Sequence, residues 1–255
     1  MNEQTARNLL VTILAASVGV PSAMAQATDF LSLVKTGTPA QVQSAIKAGA
    51  EVNARTPDGG TALMLAAGAN TNPEVLTTLL KAGADVNAST PDGGTALVLA
   101  AGFNTPEVLS VLLKAGAEVN ARNEDGEPAL MAAARYNTNP EALRVLLKAG
   151  AEVNARTPEG GTALILAAGL NTNAEVLKVL LKAGAEVNAR FQDGSTALMV
   201  AARYNTNPEV VTTLLKAGAD AKARDNLGKT AYDYAGENEK LKGTDVYWKL
   251  NDARF

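Results

Sequence analysis

The sequence predicts an all-α repeat fold, a linear stack of short helix-turn-helix units joined by extended hairpin-like loops. Three observations predict it. A phrase of 33 or 34 residues recurs five times along the 255-residue chain. Within each copy, apolar residues fall at helical spacing in two short runs. Neither run can stand alone, because isolated helices shorter than about 12–15 residues are marginal in water. Each copy must therefore bury its apolar face on its neighbours, and stability becomes roughly a sum of nearest-neighbour terms.

The copies cover 56–89, 90–122, 123–156, 157–190 and 191–224. The short copy lacks one residue in its mid-repeat turn, Asn104-Thr105-Pro106, where others read Asn-Thr-Asn-Pro or Asn-Thr-Asn-Ala. A length change confined there predicts a solvent-exposed turn between fixed elements. In the first copy, Thr61 is placed to cap a helix over Ala62 to Ala67. Asn72-Pro73-Glu74 then reads as a second helix start, with Asn at the N-cap, Pro at N1 and an acid in the first turn. Val75, Leu76, Leu79 and Leu80 form its apolar stripe. Gly83 fits a left-handed position just past its end. The Gly-Gly pairs in the loops read as positions of positive φ.

Both ends depart from the repeat. Residues 26–55 hold a first unit without a leading hairpin, with Thr38-Pro39 starting its second helix. Residues 225–255 open as a repeat and turn polar, with Tyr247, Trp248 and Leu250 available to cover the apolar end of the stack. A solenoid needs such lids for solubility. Residues 1–25 match neither part. Arg7 and the free amine precede Leu9–Val20, a run of twelve residues without charge. Pro21 and Ala23-Met24-Ala25 follow, the layout of a secretory signal cleaved after Ala25. The run is short for a bilayer, which needs about 20 apolar residues. The alternative is an N-terminal amphipathic helix packed on the first repeat.

Composition narrows function by removing chemistry. The chain has no Cys and no His, and its net charge is −3. Disulfides, thiolate metal sites, Cys nucleophiles and the commonest general base are all absent. No basic footprint for nucleic acid is present. Carboxylates are numerous, but Asp58, Asp92, Asp125, Glu159 and Asp193 recur at one loop position, which points to turn structure. Asn53, Asn87, Asn120, Asn154 and Asn188 recur likewise, as a ladder to loop backbone. Arg55, Arg122, Arg156, Arg190 and Arg224 end their copies, as a surface charge ladder or part of a partner footprint.

The phrase Asp-Gly-x-Thr-Ala-Leu-x-x-Ala-Ala, followed by a helix ending Leu-Leu-Lys-Ala-Gly-Ala-Asp-Val-Asn-Ala, resembles the ankyrin repeat. The resemblance implies an ankyrin solenoid over nearly all of the chain after residue 25. Two departures stand out. The family's Thr-Pro-Leu-His becomes Thr-Ala-Leu followed by Met, Val or Ile, and the turn that usually holds Gly-His reads Asn-Thr-Asn. The family generally binds proteins through its concave groove and hairpin tips. Positions that differ between copies are the ones free for that use. After the Ala-Ala of the first helix they read Gly68-Ala69, Gly102-Phe103, Arg135-Tyr136, Gly169-Leu170 and Arg203-Tyr204. The resemblance sets Phe103, Tyr136, Leu170 and Tyr204 in a row on the groove, with Arg135 and Arg203 beside them. Aromatics and Arg are enriched in binding hot spots. Phe191 is expected to be an exposed contact at a hairpin tip.

A non-catalytic scaffold for a protein partner is the expected function, in a periplasmic or secreted protein. A structural spacer, or a secreted effector directed at a host protein, is the alternative. The chain is expected to be a monomer, with no cofactor, no metal, no nucleic-acid partner and no stable membrane span once the signal is removed.

Overall fold

The structure, a computed structural model, describes residues 22–253, with side chains from Asp29 onward. Fourteen helices follow one another among the described residues: α1 (Ser22–Thr36), α2 (Pro39–Lys47), α3 (Ala62–Ala69), α4 (Pro73–Lys81), α5 (Ala96–Phe103), α6 (Pro106–Lys114) and α7 (Ala129–Tyr136). The series continues with α8 (Pro140–Lys148), α9 (Ala163–Leu170), α10 (Ala174–Lys182), α11 (Ala197–Tyr204), α12 (Pro208–Lys216), α13 (Ala231–Glu237) and α14 (Asp245–Ala253). Each odd-numbered helix packs on the next odd one and on the even helix that follows it. The result is two parallel layers of helices, inner and outer. The expected signal peptide lies almost wholly outside the described residues, and α1 begins at Ser22, before the Ala25–Gln26 junction.

The helices start and stop where local chemistry dictates. Thr61, Thr95, Thr162 and Thr196 each accept a hydrogen bond from the backbone N–H three residues on, capping α3, α5, α9 and α11. In the third repeat Pro128 takes that place and no side chain caps α7. The outer helices α4, α8, α10 and α12 are capped by Asn72, Asn139, Asn173 and Asn207, each accepting from the N–H of the following Glu. Each inner helix runs about half a turn past Ala67 or its equivalent. At the end of α4, Gly83 adopts φ 92° and Ala84 N–H donates to the Leu79 carbonyl, which closes the helix. Of each loop Gly-Gly pair only the first residue has positive φ: Gly59, Gly93 and Gly160. The second residue of each pair has an ordinary backbone, so the expectation for both was too broad.

The core is a ladder of Leu, Val and Ala between the layers. Leu76, Leu79, Leu109, Leu112, Leu143 and Leu146 are fully buried on the outer helices. Each contributes about 1.5–3 kcal/mol of hydrophobic stabilisation. Ala66, Ala67 and their equivalents let inner helices approach closely.

Two asparagine ladders tie repeat to repeat. The expected one is present: Asn53 donates to Gly83 O (3.0 Å) and accepts from Asp85 N–H (3.1 Å). Asn87, Asn120, Asn154 and Asn188 repeat both bonds. The second ladder corrects the solvent-exposed turn. Asn70, Asn104, Asn137, Asn171 and Asn205, the first turn residue of each copy, are buried. Asn137 donates to Ala101 O and Asn104 O, each at 3.0 Å. Its equivalents do the same one repeat back, from Asn70 to Asn238. Only the residues after the Asn in each turn face solvent, which is where the single-residue deletion falls. The terminal arginines form a third tie. Arg122 donates to Gly126 O in its own loop and to Arg156 O in the next, both at 2.8 Å.

At the C-terminal end, Val246 and Leu250 of α14 are buried. Tyr247 stacks on Tyr232 with their hydroxyls 2.7 Å apart. Trp248 is 54% exposed, touching Tyr247 edge-on, and so does not fill the cap as expected. Val246 and Leu250, four apart, set the inward face of α14, and Trp248 falls on the opposite one.

Candidate functional site

The last residue of each inner helix is at most partly covered by its neighbours, because the chain turns away there into the outer helix. Phe103, Leu170 and Tyr204, which end α5, α9 and α11, are 53%, 59% and 56% exposed. Large apolar side chains held in water at matched positions are unsatisfied surface. Tyr136, at the end of α7, is half-buried and stacks on Phe103 with ring centroids 5.3 Å apart. The structure thus brings Phe103 and Tyr136 together as one aromatic step. Leu170 and Tyr204 follow on the next two repeats.

The two arginines expected beside this row have different fates. Arg135 is half-buried and pairs with Glu127, their side chains 13% and 11% exposed. It is a structural tie, and this corrects its placement among free contact residues. Glu127 stands where other copies have Gly or Ser, so the third repeat alone supplies this buried acid. Arg203 is exposed, and no ion pair involves it among the described residues. Its guanidinium lies 5.0 Å from the Tyr204 ring centroid and 5.1 Å from that of Tyr234. Cation–π attraction to two rings fixes its plane.

Between α9 and α11 the surface sinks into a groove of about 610 Å³. Its walls are Ile165, Leu166, Leu170, Met199 and Val200, with Phe191, Gln192 and Asp193 on the loop side and Arg203 and Tyr234 beside them. Gly169 is part of its floor: a Cβ there would lie 2.8 Å from Val200 Cγ1, so glycine permits the close approach of the two helices. Phe191 is not the projecting tip residue expected. It is half-buried, with its ring edge over Gly161, and it lines this groove. The absence of a side chain at Gly161 leaves room for the ring.

Tyr234, on the capping helix α13, was not legible as a site residue. Its hydroxyl donates to the Asp225 carboxylate. That hydrogen bond, with burial, pushes the phenol up to about 12. Burial alone would push the Asp225 carboxyl up. The Tyr234 hydroxyl and the backbone N–H groups of Lys229 and Leu227 outweigh it and hold the carboxyl below its ordinary value. The signal was available as an aromatic where the other copies carry Leu65, Leu99, Ala132, Leu166 and Val200, two residues after the Leu of Thr-Ala-Leu.

The recurring loop acids serve their own turns. Asp92 accepts from the Thr90 hydroxyl, and Asp193 from Ser195 N–H at 2.8 Å. Among the described residues no group of three His, Cys, Asp or Glu side chains could hold a metal ion, and no helix is long and apolar enough to cross a membrane.

Comparison with known proteins agrees with this architecture. The family model described as ankyrin repeats (3 copies) matches residues 31–123, 113–191, 130–225 and 171–244. Among solved structures, the chain is similar to the human ASB11 ankyrin repeat domain, with 27% identity and a TM-score of 0.74. The match covers 92% of this chain and 98% of that one. No protein among those of curated function matches the chain. Repeat by repeat and over nearly its whole length, the chain belongs to the ankyrin repeat family.

Proposed function

We propose that this chain is a non-catalytic scaffold that binds a protein partner along the inner-helix flank of its stack, and that it is exported. Ankyrin repeats are in general protein–protein interaction scaffolds, typically without enzymatic activity. One observation carries the proposal for this chain: Phe103, Leu170 and Tyr204 stand half in water at matched positions, and Leu170 and Tyr204 line an apolar groove that no part of the described chain fills. Positions that hold the stack are the same from copy to copy, and these are not. Large apolar and aromatic side chains of this kind anchor interfaces of about 800 Å² per partner.

The test is a triple variant, Phe103→Ala with Leu170→Ala and Tyr204→Ala, set against the wild type in affinity capture from the native compartment. The proposal expects a discrete partner that the wild type retains and the variant loses, with unchanged thermal unfolding. Equal capture by both would return the chain to the role of a spacer. Export rests on the N-terminal sequence pattern. N-terminal sequencing of the native protein should begin at Gln26, in a periplasmic or secreted protein, and a native Met1 would remove that part of the proposal.

A further inference from the structure

Repeats three and five carry the same Arg-Tyr-Asn at the end of their inner helices, yet only one of the two arginines is neutralised. Glu127 pairs with Arg135, whereas the residue at the same place in repeat five is Ser195, whose backbone N–H donates to Asp193. Among the described residues Arg203 therefore has no carboxylate in ion-pair contact. Tyr204 and Tyr234 cover its guanidinium from their ring faces, which leaves the N–H edge as the unsatisfied part. Lys229, which also lies over the Tyr234 ring, is already taken by Glu237 at 2.6 Å. A planar fork of donors, held by stacking at the rim of an apolar groove, matches a carboxylate.

We propose that the groove between α9 and α11 takes an extended segment of a partner protein with an apolar side chain seated between Leu170 and Val200 and a single Asp or Glu side chain received by Arg203. This rests on the scaffold function proposed above and names the chemistry of its ligand. Leu170 and Tyr204, two members of the exposed row, both line the groove, so a chain lying along the row crosses it. Neighbouring helices lie about 8–10 Å apart, and an extended chain advances about 3.3 Å per residue. Successive repeats are thus met about every three residues; Val200, one wall of the apolar seat, is on the same helix as Arg203, so the acid belongs within about three residues of the apolar anchor. Glu159 and Asp193 line the loop side of the same groove. They repel further negative charge, so an acidic run does not fit where one acid does.

A library of random ten-residue peptides, displayed without a free C-terminus, is selected on the purified full chain. The expected result is enrichment of peptides with one Asp or Glu within about three residues of a large apolar residue. Synthetic peptides from that pool should lose affinity by about tenfold when the acid becomes Gln, the scale of one charge-assisted hydrogen bond. The same swap should have no effect on Arg203→Gln. Ser195→Glu supplies a second variant that keeps the arginine but gives it the partner Arg135 has, and it should abolish the preference for acid. Enrichment of neutral apolar peptides, equally by wild type and Arg203→Gln, overturns the carboxylate while leaving the scaffold function standing. Preference for acidic runs, or no enrichment by the wild type, also overturns the inference, and the capture experiment above then judges the scaffold separately.

Discussion

The groove residue and the turn asparagine of each repeat are neighbours at the end of one short inner helix, Leu170 beside Asn171 and Tyr204 beside Asn205, and they obey opposite rules. At the turn position every copy has the same asparagine, buried, donating to two carbonyls of the preceding copy. At the groove position the copies carry Ala, Phe, Tyr, Leu and Tyr, most of them half in water. Sameness between copies marks what the stack needs from each, and difference marks what the stack does not need. The comparison teaches that stability and binding are separable here, residue by residue.

The sharpest way to break that separation is at the turn position. Asn137→Ala should cost about 2–3 kcal/mol in urea unfolding, because buried carbonyls and a turn N–H lose their partner. It should leave partner binding of the folded fraction intact. Glu127→Gln should cost about 1–3 kcal/mol by the same measurement, since it leaves Arg135 half-buried beside a neutral group. A loss below about 0.5 kcal/mol would show the pair to be ornamental.

Smaller effects sharpen the contrast. Tyr234→Phe removes the hydroxyl that Asp225 accepts and should cost about 1–2 kcal/mol at neutral pH. The phenol is raised in the folded state, so its contribution is complete below the ordinary value near 10 and is lost as pH rises toward about 12. The stability difference between wild type and Tyr234→Phe should therefore shrink over that interval. Asp225 is lowered, so its share is present above the ordinary carboxylate value and is lost as pH falls from there through the lowered folded-state value. Asn120→Ala, in the exposed ladder, should cost only about 0.5–1 kcal/mol, because water replaces its bonds. Leu170→Ala and Tyr204→Ala should change stability by less than about 0.5 kcal/mol while weakening partner binding at least about tenfold.

The fold was legible because its signals are local and repeated. Thr61, Asn72, Pro73 and Gly83 act within one turn of the chain, and five copies state the same message. The exposed asparagine ladder and the row at Phe103, Leu170 and Tyr204 followed from position within the copy. What escaped depends on neighbours far away in sequence. Asn70 reads as turn chemistry alone, and nothing local shows that carbonyls some 36 residues earlier await it. Arg135 and Arg203 sit in the same Arg-Tyr-Asn, and only the acid eight residues back separates a buried tie from an exposed cation. Phe191 was expected to project because hairpin tips usually do. Gly161 of the preceding copy opened the space that draws it in. Trp248 shares the apolar character of Tyr247 and Leu250, and its exposure follows from the phase of α14.

The central claim, that the inner-helix flank and not the outer layer receives the partner, can be tested by photo-crosslinking in the native compartment. A photoreactive residue replaces Leu170 on the groove, or Lys148 at the exposed end of the outer helix α8. A discrete adduct from position 170 and none from position 148 is the result predicted. An adduct from 148 alone, or none from either, would contradict the account.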